Sequence, residues 1–331
     1  MAWLPELEAA TLASLPTAHS NPELARYYQL IRDYPERGGK RLRGQLVLLS
    51  AAAHGGNWQQ ALAVAAAVEL FQNWVLIHDD IEDGSDERRG RPALHHLAGM
   101  PVAINVGDAL HVYMWRLLHS DACLALPRWR EVVREFEAMI LRTAEGQHLD
   151  LSWVAAGRFD VSEIEYLTMV TLKTAYYTVI GPLRLGALCA GLTPDPRFDA
   201  LGRHLGVAFQ LRDDVLNLLP EVTTGKEFAG DLYEGKRTLI LAHLLSCTDE
   251  AEKNAIVARL AQPRGDKRAD DVRFILSAIN RHGSLAYAQR VAEAEAAQGL
   301  ALLSELAPML AEPAAATELT ELLKSLARRL H

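Results

Sequence analysis

Two short acidic runs, Asp79-Asp80-Ile81-Glu82-Asp83 and Asp213-Asp214-Val215-Leu216-Asn217, sit inside apolar stretches with helical periodicity. Carboxylates four residues apart on a helix share a face, with Cβ atoms roughly 5–6 Å apart. Two such side chains can converge on one hard cation. Left bare, like charges that close repel, so the arrangement costs stability unless metal or cationic groups neutralise it. Mg2+ suits the pattern, because it takes one or two carboxylates and fills its other positions with water and phosphate oxygens. The chemistry these residues imply is the holding of a diphosphate through bridging magnesium.

The first run leads directly into Gly84-Ser85-Asp86-Glu87-Arg88-Arg89-Gly90. Two adjacent guanidiniums, planar and permanently charged, are well suited to phosphate. A solvated, self-neutralising loop at a helix end would be the better reading of an isolated DDxxD. The following RRG and the DDxxN echo make it the minor one. The second run follows Phe209-Gln210 and precedes Gly225-Lys226 and Gly230-Asp231-Leu232-Tyr233-Glu234-Gly235-Lys236-Arg237-Thr238. Lysines flanked by glycine on a loop can close over a phosphate, although most loop lysines are merely exposed. Gly38-Gly39-Lys40-Arg41-Leu42-Arg43 places Lys40 and Arg43 on one side of a helix start, a candidate second anion site that is weak taken alone.

The elements that must carry these groups are helices. Of 331 residues, 50% are hydrophobic but only 7% aromatic, and Ala and Leu abound, which favours a large helical bundle over a sheet. Apolar periodicity predicts helices over 42–54, 58–83, 101–119, 128–153, 162–190, 199–219 and 238–245, with further pieces from 249 onward. Asp160 with Glu163 reads as a capping box, and Pro182 as a kink in the helix that carries Lys173. No convincing alternating strands are present. The expectation is an all-α chain forming one domain over residues 1–331. The stretch 293–314 reads as a core-facing helix pair. The three cysteines, Cys123, Cys189 and Cys247, have no metal-ligand spacing and read as buried thiols in a reducing cytoplasm. A net charge of −8 argues against wholesale binding to nucleic acid or to an anionic membrane. The most apolar segment, 61–77, is interrupted by Glu69, Gln72 and Asn73, so no transmembrane span is expected.

GGKRLR, HDDIEDGSDERRGRPALH, GQHLDL, LKTA, FQLRDDVLN and GDLYEGKRT occur in this order between Gly38 and Thr238. In that set and order the chain resembles the trans-isoprenyl diphosphate synthases of the polyprenyl synthetase family. The resemblance implies an isoprenoid-synthase-type bundle around a central cavity, a homodimer, and three Mg2+ ions with substrate bound. Asp79 and Asp83, assisted by Asp80, would bind two ions, and Asp213 a third with Asp214 and Gln210 in support. Arg88, Lys173, Lys226 and Lys236 would hold the allylic diphosphate. Lys40, Arg43, Gln72 and Arg89 would hold isopentenyl diphosphate. Gln147, Asp150 and Thr174 would stand behind the ligands or line the cavity. Two residues depart from the family pattern: Asn217 replaces the commoner Asp, weakening one metal contact, and Gly44 replaces Pro, changing local rigidity.

The implied reaction is head-to-tail condensation. Magnesium and cationic side chains stabilise departing pyrophosphate, the double bond of isopentenyl diphosphate attacks the allylic cation, and the released pyrophosphate accepts the proton. No side-chain base is required, and His78 is expected to pack or to hydrogen-bond a carboxylate. Trp74 lies five residues before Asp79, about 7.5 Å along a helix at roughly 1.5 Å per residue. By resemblance it is a floor for the growing chain, with small Val75 beside it, and four isoprene units are the expected product length. Leu110, Tyr113 or Met114 could set the depth instead. A farnesyl or longer-chain synthase, a class I terpene cyclase and a non-catalytic synthase subunit are the alternatives. The paired basic motifs argue against a cyclase, and the intact first motif argues against a silent subunit.

Overall fold

The computed structural model describes residues 3–219 and 228–327. Helices dominate, as expected, and the described residues fall into two compact units. The first comprises Met1–Met139, Tyr177–Asp199 and Leu303–Leu322; the second comprises Ile140–Tyr176, Ala200–Leu302 and Leu323–His331.

In the first unit, α1 (Trp3–Ala13), α2 (Pro22–Glu36), α3 (Leu42–Ala53) and α4 (Leu62–Glu82) precede a two-residue hairpin, β1 (Glu87–Arg88) with β2 (Arg91–Pro92). Then follow α5 (Leu94–Ala98), α6 (Met100–Leu118), α7 (Asp121–Leu124) and the start of α8 (Trp129–Ala155). The periodicity argument missed α1 and α2. Yet α2 has a clear start signal: the Asn21 side chain accepts from the Glu23 and Leu24 amides at 2.8 and 3.1 Å, and Pro22 occupies the first turn. Helix α4 is the core element. Val64 to Val68 and Leu70 are fully buried, and α4 packs on α6, α1 and α3. The segment Trp58–Glu82 is long and apolar enough to cross a membrane, but 67% of its most apolar window is buried inside the protein.

In the second unit, α9 (Glu163–Val170) continues as a π-helical stretch over Thr171–Ile180, and α10 (Gly181–Cys189) follows in the first unit. Next come α11 (Arg197–Asn217), α12 (Gly230–Glu234), α13 (Leu239–Cys247), α14 (Glu250–Leu260), α15 (Ala269–Arg281) and α16 (Ser284–Leu306), while the end of α16 from Leu303 and most of α17 (Pro313–Ala327) belong to the first unit. Leu239, Tyr166, Val170, Val207 and Leu211 form one buried cluster, and Val215, Ile240, Leu244, Ile275 and Ile279 another. Two local expectations are corrected. The capping box that opens α9 is Ser162 with Glu165, not Asp160 with Glu163: the Ser162 amide donates to Glu165 at 2.9 Å and the Ser162 hydroxyl accepts the Glu165 amide at 3.3 Å. Pro182 sits in the first turn of α10, where its missing N–H is tolerated, and the departure from α geometry precedes it as the π stretch.

Of the cysteines, Cys123 and Cys189 are buried but Cys247, at the end of α13, is exposed. Gly44 does more than set rigidity. Its N–H donates to the buried Glu69 at 2.8 Å, a bond proline cannot make, and a Cβ there would meet Leu7 at 2.7 Å.

Candidate active site

Helix α4 carries Asp79 and Asp83 one turn apart, the Asp83 amide donating to the Asp79 carbonyl at 2.8 Å. The helix ends in a Schellman motif: Gly84, at φ +62°, donates to Ile81 O and Ser85 donates to Asp80 O at 2.9 Å. That turn feeds the hairpin, whose two turn residues, Arg89 at φ +55° and Gly90 at φ +71°, have the left-handed conformations of a type I′ turn. The two carboxylates of the DD pair have different environments. The Asp79 side chain is 20% exposed and the Asp80 side chain is fully buried. Asp80 accepts from the Tyr34 hydroxyl at 2.5 Å and from Arg88 Nε at 3.0 and 3.1 Å, with Arg88 Nη2 on the same carboxylate. Burial works against the Arg88 charge, but the Asp80 hydrogen bonds and charge outweigh it and raise its pKa. Arg88 therefore aligns the motif. Tyr34 was not singled out from the sequence, because α2, which carries it, was not read as a helix.

The expected isopentenyl-side residues all lie in the first unit. Lys40 is exposed and precedes α3, because Arg41 takes a left-handed conformation at φ +46° and the helix begins at Leu42. Lys40 therefore lies outside the helix, so the helical spacing read between Lys40 and Arg43 does not apply. Arg43 donates to Thr178 at 2.8 Å and its guanidinium lies 4.4 Å from the Tyr177 ring centroid. Arg89 donates to the Gly38 carbonyl, and burial followed by the nearby Arg41, Arg88 and Arg37 charges lowers its pKa. Such a cationic group favours an anion. Gln72 is buried, and its Oε1 has no hydrogen-bond partner among the described residues.

In the second unit, Lys173 and Thr174 belong to the π stretch. Two glycines let neighbouring helices close on it: a Cβ on Gly146 would lie 2.2 Å from Lys173 N, and one on Gly206 would lie 2.4 Å from Ala175 Cα. Lys173 Nζ contacts Asp150 Oδ2 at 2.5 Å. Thr174 donates to Gln210 Oε1 at 2.9 Å, and Gln210 Nε2 donates to Asp214 Oδ1 at 2.8 Å. The Tyr166 hydroxyl donates to Asp214 Oδ2 at 2.5 Å, repeating the Tyr34–Asp80 arrangement. Burial, followed by the charge of Asp231, raises the Asp214 pKa. Asp213 is half-buried and borders a cavity of about 60 Å³ that Lys173, Asp231 and Lys236 also line. Asn217 is buried; its Oδ1 accepts the Asp231 amide at 3.2 Å and its carbonyl accepts the Ala229 amide at 2.8 Å. It fixes the GDLYEGK segment, a role that spacing alone did not reveal. Lys236 Nζ lies 3.1 Å from Glu234. Lys226 lies outside the described residues. Gln147 is half-buried on α8.

Replacing Gly146 with alanine forces a methyl against the Lys173 backbone. Overpacking of this kind costs about 1–3 kcal/mol, so Gly146→Ala is expected to lower the melting temperature and to reduce turnover by displacing Lys173. Calorimetry and steady-state assays check both. A pH effect arises at Lys267, which donates to the Tyr233 carbonyl at 2.6 Å. Burial, with the Arg237 and Arg264 charges, pushes its pKa down to about 8, against the opposing pull of Glu234. Unfolded lysine titrates near roughly 10.4. Between these values the unfolded chain binds more protons, so this group's penalty on folding fades as pH rises through the window. Lys267→Met should remove that rise, read as the difference in urea midpoint from wild type at pH 7.5 and 10.

The residues proposed for chain length also lie in the first unit. Trp74 stacks on His111 of α6 with centroids 4.2 Å apart and planes 16° apart, and Trp115 Nε1 donates to His111 Nε2 at 2.8 Å. Val75 is half-buried, while Leu110 and Met114 are fully buried. His78 packs against Trp74, with Nε2 3.7 Å from Asp108, as expected of a packing residue.

The carboxylates are of the type magnesium takes: Asp79 and Asp83 in the first unit and Asp213 in the second each offer hard oxygen atoms. Among the described residues no group of three or more His, Cys, Asp or Glu side chains could hold a metal by itself. Mg2+ characteristically uses few protein carboxylates and retains water and phosphate ligands.

The polyprenyl synthetase family model matches residues 25–279. A short chain isoprenyl diphosphate synthase of Methanothermobacter thermautotrophicus is 36% identical over 264 residues, covering 77% of each chain. A geranylgeranyl diphosphate synthase of Sulfolobus acidocaldarius is 36% identical over 263 residues, again 77% of each. The fold is similar to that of a Corynebacterium glutamicum geranylgeranyl pyrophosphate synthase solved with isoprenyl diphosphate and magnesium. The TM-score is 0.84 at 26% identity, over 98% of both chains. An all-α chain with two aspartate-rich helices and a guanidinium hairpin thus falls among the prenyltransferases. It belongs to the polyprenyl synthetase family.

Proposed function

We propose that the protein condenses isopentenyl diphosphate with an allylic diphosphate to make geranylgeranyl diphosphate, using Mg2+. The observation that carries the reading is the placement of Asp79 and Asp83 one turn apart on α4, with the intervening Asp80 held in the core. Asp79, Asp83 and Asp213 would hold the ions, three with substrate bound. When bound, magnesium draws charge from the leaving diphosphate. Lys173, Lys236, Lys226 and Arg88 are assigned to the oxygens of that diphosphate, and Lys40, Arg43, Gln72 and Arg89 to isopentenyl diphosphate. The C–O bond to the leaving group breaks, the new C–C bond forms, and the released diphosphate takes the proton from isopentenyl carbon 2. One catalytic domain over 1–331 is the proposed organisation, since the family match draws on residues of both units. A homodimer is proposed from the family. The exposed apolar side chains Leu97, Met100, Ile104 and Val112 of α5 and α6 support it, and Val112→Glu is expected to shift the mass in light scattering toward the monomer. The protein is proposed to act in the cytoplasm.

The test is a product assay with Mg2+, isopentenyl diphosphate and, separately, dimethylallyl, geranyl and farnesyl diphosphates, with dephosphorylated products identified by mass. A discrete four-unit product that disappears with a chelator supports the reading. No elongation from any starter by folded protein refutes it. The His111 stack behind Trp74 is the reason four units are favoured over longer chains. Trp74→Ala is expected to add at least one unit to the main product, and His111→Ala to broaden the distribution in the same direction. Farnesyl diphosphate as the end product from every starter would show that the floor lies higher.

A further inference from the structure

Neighbouring residues on a helix point about 100° apart, so when one member of an aspartate pair faces outward the other turns toward the core. Both pairs do this. Asp79 and Asp213 keep partial exposure, while Asp80 and Asp214 are buried. Each buried carboxylate receives a tyrosine hydroxyl at 2.5 Å from a helix of its own unit: Tyr34 of α2 on Asp80, and Tyr166 of α9 on Asp214. Each also accepts from a second side chain, the Arg88 fork on Asp80 and Gln210 on Asp214.

We propose that Tyr34 and Tyr166 are positioning residues, each clamping the inner aspartate of its motif so that the outer carboxylates face their magnesium ions in a fixed direction. The proposal rests on the magnesium reading above and adds to it a division of labour within each DD pair. Turning either buried carboxylate outward to ligate a metal would break its tyrosine bond, and the freed hydroxyl would be left buried without a partner. Both hydroxyls act as donors to their carboxylates. Pinning one residue in the core fixes the rotation of the helix about its axis, and with it the direction of Asp79 and Asp83 on α4 and of Asp213 on α11. Tyr34 does this for the loop as well. Its hydroxyl accepts the Leu94 amide at 3.2 Å, its carbonyl accepts from Arg89 at 3.3 Å, and Arg37 lies 4.4 Å over its ring. Arg37 in turn donates to the Arg88 and Pro92 carbonyls, each at 2.9 Å. One residue therefore ties the first carboxylate motif to the hairpin that bears Arg88 and Arg89.

Tyr34→Phe and Tyr166→Phe keep the rings and delete only the hydroxyls. Loss of a group that orients a metal ligand typically weakens metal affinity roughly 10–100-fold. The expected result is a rise of about that size in the Mg2+ concentration for half-maximal activity, with the KM for isopentenyl diphosphate changed less than twofold. A readout independent of turnover is the stabilisation of the protein by Mg2+ with inorganic pyrophosphate, followed as melting temperature against Mg2+ concentration. Both variants should need correspondingly more Mg2+ for the same rise. A lower melting temperature with an unchanged Mg2+ dependence in either readout means a merely structural tyrosine and overturns the proposal. Should one variant fail to fold, the other decides, since the two clamps are in separate units. Asp79→Ala run in parallel separates the failures. If it retains full turnover, the magnesium reading itself falls. If it is inactive while both tyrosine variants match wild type in Mg2+ dependence, only the clamp does.

Discussion

Asp79→Ala leaves a folded protein with at least about a thousandfold lower kcat, equivalent to about 4 kcal/mol of lost transition-state stabilisation. The loss falls on chemistry because this carboxylate is the accessible member of its pair. Its side chain is 20% exposed and its ion pair with Arg88 is long at 3.7 Å, so truncation removes the carboxylate proposed to face the metal without opening the core. Removing one carboxylate from a cluster of like charges also relieves repulsion in metal-free protein. The melting temperature of Asp79→Ala without Mg2+ should match or exceed that of wild type, while its rise on adding Mg2+ and pyrophosphate should be lost. Single-turnover kinetics and calorimetry with and without Mg2+ check the two halves. A variant that loses stability along with activity would mean that Asp79 is chiefly structural.

The contrast between Asp79 and Asp80 marks how far the sequence could be read. Spacing alone puts Asp79 and Asp83 on one face, because helical geometry is local. It cannot say which of two adjacent carboxylates turns inward, since that depends on Tyr34, 46 residues away from Asp80. By resemblance Asp80 assists Asp79 and Asp83, and its bonds to Tyr34 and Arg88 show which contacts that assistance would act through under the proposed clamp. The same holds at Asn217, which the altered motif marks as a weakened metal contact but whose side chain fastens the Asp231 amide. Helix existence was legible from apolar periodicity, whereas hydrogen-bond register was not. The π stretch over Thr171–Ile180 arises where Gly146 and Gly206 admit close backbone approach, and no short-range pattern in LKTA encodes that. The early helices escaped notice because α2 is amphipathic with many polar residues, although Asn21-Pro22-Glu23 carries a usable start signal.

Arg88→Ala is expected to damage stability and catalysis together, for one electrostatic reason. The Asp80 carboxylate is fully buried, and the Arg88 fork is its charge partner. Breaking a buried pair by removing one member typically costs about 3–5 kcal/mol, because an uncompensated charge stays inside. Chemical denaturation should show a loss in that range, with turnover reduced further because the hairpin no longer presents its guanidinium. Arg88→Lys restores charge but not the planar two-point contact, so it should recover only part of either property. Arg88→Met combined with Asp80→Asn separates the two effects. Asparagine keeps an oxygen for the Tyr34 hydroxyl and removes the stranded charge, so most of the stability should return. Turnover should not, since nothing replaces the cationic group beside the outer carboxylates. Recovery of activity in the double variant would assign Arg88 to charge compensation alone and leave the diphosphate to the lysines and Arg89.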